Sequence, residues 1–147
     1  MKILYIVLTI SSLFAKPDDW VWTNTGENHA IFVLKDTKFE GILAENGDYL
    51  GVFFKDNDKE KCCGFLEYKI DENLGFTVWG DNPDTVEKDG LQLNEDFIWK
   101  LWKKDDDKIY NLDVKYKQKD KLFTDNGNYV KDGISGVAEF YKIDLEK

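Results

Sequence analysis

The chain has 147 residues, a formal net charge of −9, and 15% aromatic residues within a 42% hydrophobic fraction. That length suits one domain with its own core. All 20 basic residues are lysine, and an acidic chain without guanidinium groups is a poor partner for nucleic-acid phosphates and for anionic membrane surfaces.

The first residues have the layout of an export signal. Lys2 supplies a short positive region, Ile3 to Ile10 an apolar core, and Ser11 to Ala15 a small-residue cleavage region. The apolar stretch is shorter than the roughly 20 residues that a membrane-spanning helix needs. Residues 1–15 therefore read as a signal peptide and 16–147 as the mature domain, with no membrane insertion after signal removal. The destination is secreted or cell-surface, with the periplasm as the alternative. No cysteine follows the expected cut, which argues against a lipid anchor.

Beyond the signal, no long amphipathic helix is legible. Short runs rich in Val, Ile, Phe, Tyr and Trp alternate with Asn, Asp and Gly. Strands are expected over Trp20–Thr23, His29–Leu34, Lys38–Leu43, Tyr49–Phe54, Cys62–Ile70, Gly75–Trp79, Asp96–Lys103, Lys108–Tyr116 and Gly136–Ile143. Breaks are expected at TGEN (25–28), ENGD (45–48), KDND (55–58), DEN (71–73), KDDD (104–107) and DNGN (125–128), where Asn, Asp and Gly tolerate left-handed backbone. The pattern predicts an all-β fold, an antiparallel β-sandwich or jelly roll in a single domain.

Alternation assigns faces. In FIWKLW, Phe97, Trp99 and Leu101 share one side and Ile98, Lys100 and Trp102 the other. Both sides are largely apolar, so this strand is central or has a loop over one face. In IYNLDVKY, the set Tyr110, Leu112, Val114 and Tyr116 points inward. Cys62 and Cys63 are adjacent and would point to opposite faces. One is expected buried and one partly exposed, with a vicinal disulfide, which is strained, or an intermolecular bridge as the alternatives. Lys115, Lys117, Lys119 and Lys121 read as charges on a solvated hairpin end, or as blunting of an edge strand.

The order of short motifs resembles a β-sandwich module of secreted multidomain Bacteroidetes-type proteins. TNTGENHAIFV (23–33) is similar to its opening strand pair, GDYLGVFF (47–54) to its GDxIGVF strand, and CCGFLEY (62–68) to the strand that follows. TVWGDNPDTVEKDG (77–90) with EDFIWKLW (95–102) resembles its WGDD…T…KDGF…GE…F-x-W-K-x-W segment, and NYVKDGISGVAEF (128–140) its closing strand. The resemblance implies a sandwich akin in architecture to carbohydrate-binding and adhesion domains. It brings no catalytic residues with it.

Three chemistries compete for the functional residues. Catalysis by a serine nucleophile needs a positioned base; His29, the only histidine, has no G-x-S-x-G partner and reads as an ordinary strand-edge residue. Calcium takes six to eight oxygens, and Asp81, Asp84, Glu87 and Asp89 offer carboxylates in one loop, though not in EF-hand order. The competing reading gives those acids backbone work in turns, with Lys88 as an internal ion pair. Sugar recognition uses flat aromatic faces; Trp20, Trp22, Trp102 and Tyr49 are the candidates, with Trp20 and Trp22 expected to be part-exposed and Trp79 and Trp99 in the core. The expectation is a secreted, non-enzymatic module that binds polysaccharide or a surface protein. The alternative is a structural, adhesion or particle-coat protein that assembles through its faces or edges; the oligomeric state is left open.

Overall fold

The computed structural model describes residues 14–144; of the expected signal peptide, residues 1–13 lie outside them. The fold is all-β, with strands β1 (Asn28–Glu40), β2 (Tyr49–Asp56), β3 (Lys59–Glu67), β4 (Leu74–Trp79), β5 (Ile98–Lys103), β6 (Lys108–Tyr116) and β7 (Ile134–Lys142). They form one sheet in the order β3-β2-β5-β6-β7-β1-β4. Every ladder is antiparallel except β1 with β7, which is parallel. The sheet curls until its edge strands β3 and β4 lie against each other, giving a sandwich-like, nearly closed barrel. The seam is tight: a Cβ on Gly64 would sit 2.4 Å from the Thr77 carbonyl oxygen.

Each expected break contains one residue with positive φ: Gly26, Gly47, Asn57, Asp71, Asp107 and Gly127. These are the residue types that enter the left-handed region at least cost. The β2–β3 and β5–β6 hairpins turn at KDND and KDDD, closing on the pairs Asp56↔Lys59 and Lys103↔Lys108. The two strands expected over 29–34 and 38–43 are one strand, β1, with a register shift against β7 between Val33 and Lys38.

Trp20–Thr23 departs from expectation, because it forms no ladder. The segment lies over the outer face of the sheet, held by side-chain packing and not by a ladder. There Trp20 packs with Phe53, Cys62 and Trp102, and with the part-buried Tyr49, Phe65 and Ile98. The main core fills the inside of the curl, with Ile31, Val33, Leu50, Val52, Trp99, Leu101, Val137 and Phe140 among its members. Strand β5 thus serves both clusters, Trp99 and Leu101 within and Ile98 and Trp102 without, which is why both of its faces are apolar. On β6, Leu112, Val114 and Tyr116 face the core as the alternation requires.

Both cysteines are free and buried; the expectation that one would be part-exposed did not allow for the segment over the outer face. Cys63 packs in the inner cluster and Cys62 in the outer one. Burial pushes the Cys62 thiol up to about 11 and raises the Cys63 thiol well above its ordinary value. Of the four lysines only Lys115 lies on β6, which runs between β5 and β7 and is no edge, while Lys119 and Lys121 follow it in an exposed loop, as the solvated reading expects. Lys117 instead reaches Asp36 at 3.0 Å.

The turn before β2 is organised by a buried carboxylate. Asp48 is 1% exposed, and accepts from the Glu45 amide at 2.8 Å, the Lys104 amide at 2.9 Å and the Lys103 ammonium at 2.7 Å. Removing it strands the two amides and leaves the largely buried Lys103 with the Leu43 carbonyl and one exposed acid, Glu45. Asp48→Ala should cost about 3 kcal/mol in urea unfolding, and a loss under about 1 kcal/mol would demote the cluster to a surface ion pair.

Candidate functional site

The five tryptophans have different fates. Trp20, Trp99 and Trp102 are buried, whereas Trp22 is 45% exposed. Buried indoles want partners for their N–H groups: Trp99 Nε1 donates to Tyr116 Oη and Trp102 Nε1 to Asp107 Oδ1, each at 2.8 Å. Trp79, expected in the core, is only half-buried. It is the support on which Trp22 stacks, with ring centroids 5.9 Å apart and planes at 26°. Its Nε1 is buried without a hydrogen-bond partner.

Trp22 stands in the wall of a groove of about 510 Å³. One wall is the segment that crosses the outer face, with Asp19, Val21 and Trp22. The opposite side comes from Lys59, Glu60 and Lys61 of β3, and from Glu87, Lys88 and Asp89 of the β4–β5 connection, with Phe54 and Cys62 also in the lining. Of the residues read from sequence as sugar-binding, only Trp22 reaches this groove. Trp20 and Trp102 are buried beside it in the outer cluster, and Tyr49 packs on Trp102 and Phe65 away from the lining. Burial, aided by Glu67, raises the Tyr49 phenol.

Trp20 and Trp22 diverge because their segment is not a ladder strand. A turn closed by the Trp20 amide on the Pro17 carbonyl at 3.1 Å turns Trp20 inward. Thr25 then ties the chain to the Gly80 carbonyl at 2.6 Å, which leaves Trp22 beside Trp79.

The four acids expected as calcium ligands are not gathered around one point. Among the described residues, no three His, Cys, Asp or Glu side chains converge on a metal-ion position. Asp81 accepts the Asp89 amide at 2.9 Å and Asp89 accepts the Asn82 amide at 2.8 Å, closing the loop on itself. Burial, with the Asp89 carboxylate adding to it, raises the Asp81 carboxyl. Asp84 gives its amide to Asn82 Oδ1 and is exposed, as is Glu87. Lys88 pairs outward, with Glu95 at 2.8 Å, and not within the acidic cluster. Backbone satisfaction is therefore the observed work of Asp81 and Asp89.

A larger cavity of about 580 Å³ lies among Phe39, Leu43, Lys103, Tyr110 and Lys142. It offers no free aromatic plate: the Lys142 ammonium covers the Tyr110 ring at 5.5 Å, and Phe39 is packed against Tyr68 and Phe140.

One constellation escaped the sequence pattern. His29, expected at a strand edge, is fully buried, and its Nε2 lies 2.9 Å from Ser135 Oγ. Its Nδ1 lies 2.8 Å from the Val130 carbonyl oxygen, so the ring donates there and accepts from the serine hydroxyl. That is the tautomer of a serine–histidine pair, but both side chains have no exposed surface. The pair ties β1 to β7 and to the loop before it. The signal for it was the phase of β1, which puts His29 on the same buried face as Ile31 and Val33.

No family model, curated protein or solved structure matches this chain.

Two outcomes follow from this geometry. Burial lowers the His29 pKa, with the Val130 carbonyl and Asp125 opposing it in part. Its contribution to stability is thus complete above the unfolded value of about 6.5 and is lost as pH falls toward the folded one. Between about pH 7.5 and about pH 5 the melting temperature of the wild type should drop, and His29→Gln should show a flatter profile over that window; parallel profiles would clear His29 of the effect. The second outcome concerns calcium. Because loop amides already occupy Asp81 and Asp89, millimolar calcium should leave the melting temperature unchanged, and a rise of several degrees would assign the loop to the cation.

Proposed function

We propose that the chain is a secreted, non-enzymatic binding module of the Bacteroidetes-type β-sandwich kind, and that its ligand is a carbohydrate held in the groove beside Trp22. The observation that carries this reading is the Trp22–Trp79 stack: a half-exposed indole, backed by a second ring and flanked by polar side chains. Sugar rings present apolar C–H faces between polar rims. A flat, pre-positioned aromatic surface bordered by hydrogen-bonding groups suits such a ligand. The buried Ser135–His29 pair offers no reagent at this groove, and the acids of the β4–β5 loop are engaged with backbone in part. The reading accordingly needs no chemical step.

A polysaccharide pull-down on the mature domain tests it. The wild type should be retained on at least one polysaccharide, and Trp22→Ala should lose retention while changing stability by about 1 kcal/mol or less. Trp20→Ala should instead destabilise the fold by roughly 3–5 kcal/mol, which shows in the melting curve before it shows in binding. If nothing is retained and light scattering finds an assembled species, the structural or particle-coat role takes the place of this one.

A further inference from the structure

The charges around the groove select among carbohydrates, and we infer that its ligand is an uncharged glycan chain with one sugar ring stacked on Trp22. This rests on the carbohydrate-binding reading above. Four carboxylates line the groove, Asp19, Glu60, Glu87 and Asp89, interleaved with three ammonium groups, Lys59, Lys61 and Lys88. The lysines are not free to gather an anion. Lys61 is paired with Asp56 and Lys88 with Glu95, while Lys59 alone of the three makes no ion pair among the described residues. On the acidic side, Glu60 is held by Lys100, whereas Asp19 and Glu87 make no ion pair among the described residues.

Among the uncommitted groups of both signs, a polyanion entering this groove meets two carboxylates, Asp19 and Glu87, against one ammonium, Lys59, on a chain of net charge −9. A polycation is drawn by the net charge but must lie against three ammonium groups that line the same groove. Each charged ligand finds a like charge wherever it finds an opposite one, and close like charges are repulsive. Hydroxyl groups have no such conflict. Each both donates and accepts, so carboxylates take their protons and ammonium groups address their oxygens. Asp19 and Glu87 serve as the open acceptors and Lys59 as the open donor, and Trp22 with the exposed Val21 meets the C–H face.

The test is a titration of the mature wild-type domain with three soluble polysaccharides: a neutral β-glucan, alginate as the polyanion and chitosan as the polycation. Each is run at about 0.05 M and about 0.5 M salt, because screening separates charge-driven from uncharged binding. The neutral glucan should bind tightest, with its Kd moving by less than about twofold across the salt range. Trp22→Ala should weaken it by about tenfold, and Trp22→Phe, which keeps a ring, should restore part of the loss. Tightest binding to alginate or chitosan with a steep salt dependence overturns the inference but leaves a carbohydrate-binding module. Neutral binding indifferent to Trp22→Ala overturns it as well, by moving the ligand elsewhere. Failure to bind any of the three sinks both this inference and the reading it rests on.

Discussion

The structure depends on how Trp20 covers the outer face of β2, β3 and β5. A curled sheet buries one face in its own interior, but here Phe53, Cys62 and Trp102 point the other way. Left to solvent, they would be an apolar patch of the kind that drives association. Trp20 closes it, in an edge-to-face arrangement with Phe53 whose ring centroids are 5.2 Å apart. The backbone opposite is glycine for a reason: a Cβ on Gly51 would lie 2.7 Å from Trp20 Cζ3. A buried tryptophan removes about 150–250 Å² from water, worth roughly 4–6 kcal/mol at about 25 cal/mol per Å². That is enough to hold a segment with no ladder of its own, and it sets where Trp22 stands.

The acidic composition becomes intelligible once the carboxylates are followed to their partners. Many of them serve as acceptors for loop amides that strands cannot satisfy, which is the cheapest use of a carboxylate near a protein surface. Glu95 is the clearest case. It accepts the Lys55 amide at 3.1 Å, the Gln92 amide at 2.8 Å and the Lys88 ammonium at 2.8 Å, tying the β4–β5 connection to the end of β2. Asp81, Asp89 and Asn82 do the same within the loop, and Asp120 accepts the Leu122 and Phe123 amides at 2.7 Å each. A dense run of acids in sequence is thus compatible with a loop that holds no ion. The groove takes Glu87, Lys88 and Asp89 from the β4–β5 connection.

Much of the sheet was legible because its signals are local. Alternation in IYNLDVKY and FIWKLW placed β6 and β5 and their faces, and Asn, Asp and Gly marked where the backbone turns left-handed. What was not legible depends on distant partners. VWT at 21–23 has strand-like lettering, but lettering does not show whether an unpaired edge lies alongside. Trp79 looked like a core residue because it ends an apolar run; its outer side is completed by Trp22, far away in sequence. His29 and Ser135 lie on strands that pair only through a parallel crossover, so neither predicts the other by spacing. For the candidate site, Trp22 was readable as an exposed aromatic, while its lining from β3 and the β4–β5 loop required the curl of the sheet.

That curl also bears on how a small sandwich can hold an exposed indole in a fixed position. An exposed indole on a terminal segment would ordinarily sample many rotamers, and fixing it on binding would cost about 0.5–1.5 kcal/mol. Here Trp20 anchors the chain two residues before Trp22, Thr25 pins it three residues after, and Trp79 backs the ring. The ordering is done at folding. The facing side is equally constrained, since Lys88 is held by Glu95 and by the Lys55 carbonyl and sits 5.5 Å over the Phe54 ring. Both sides are therefore attached to β2 and its neighbours through separate contacts, one apolar and one ionic. A groove built this way has its walls set by the fold itself, and the carbohydrate-binding proposal needs no closing movement.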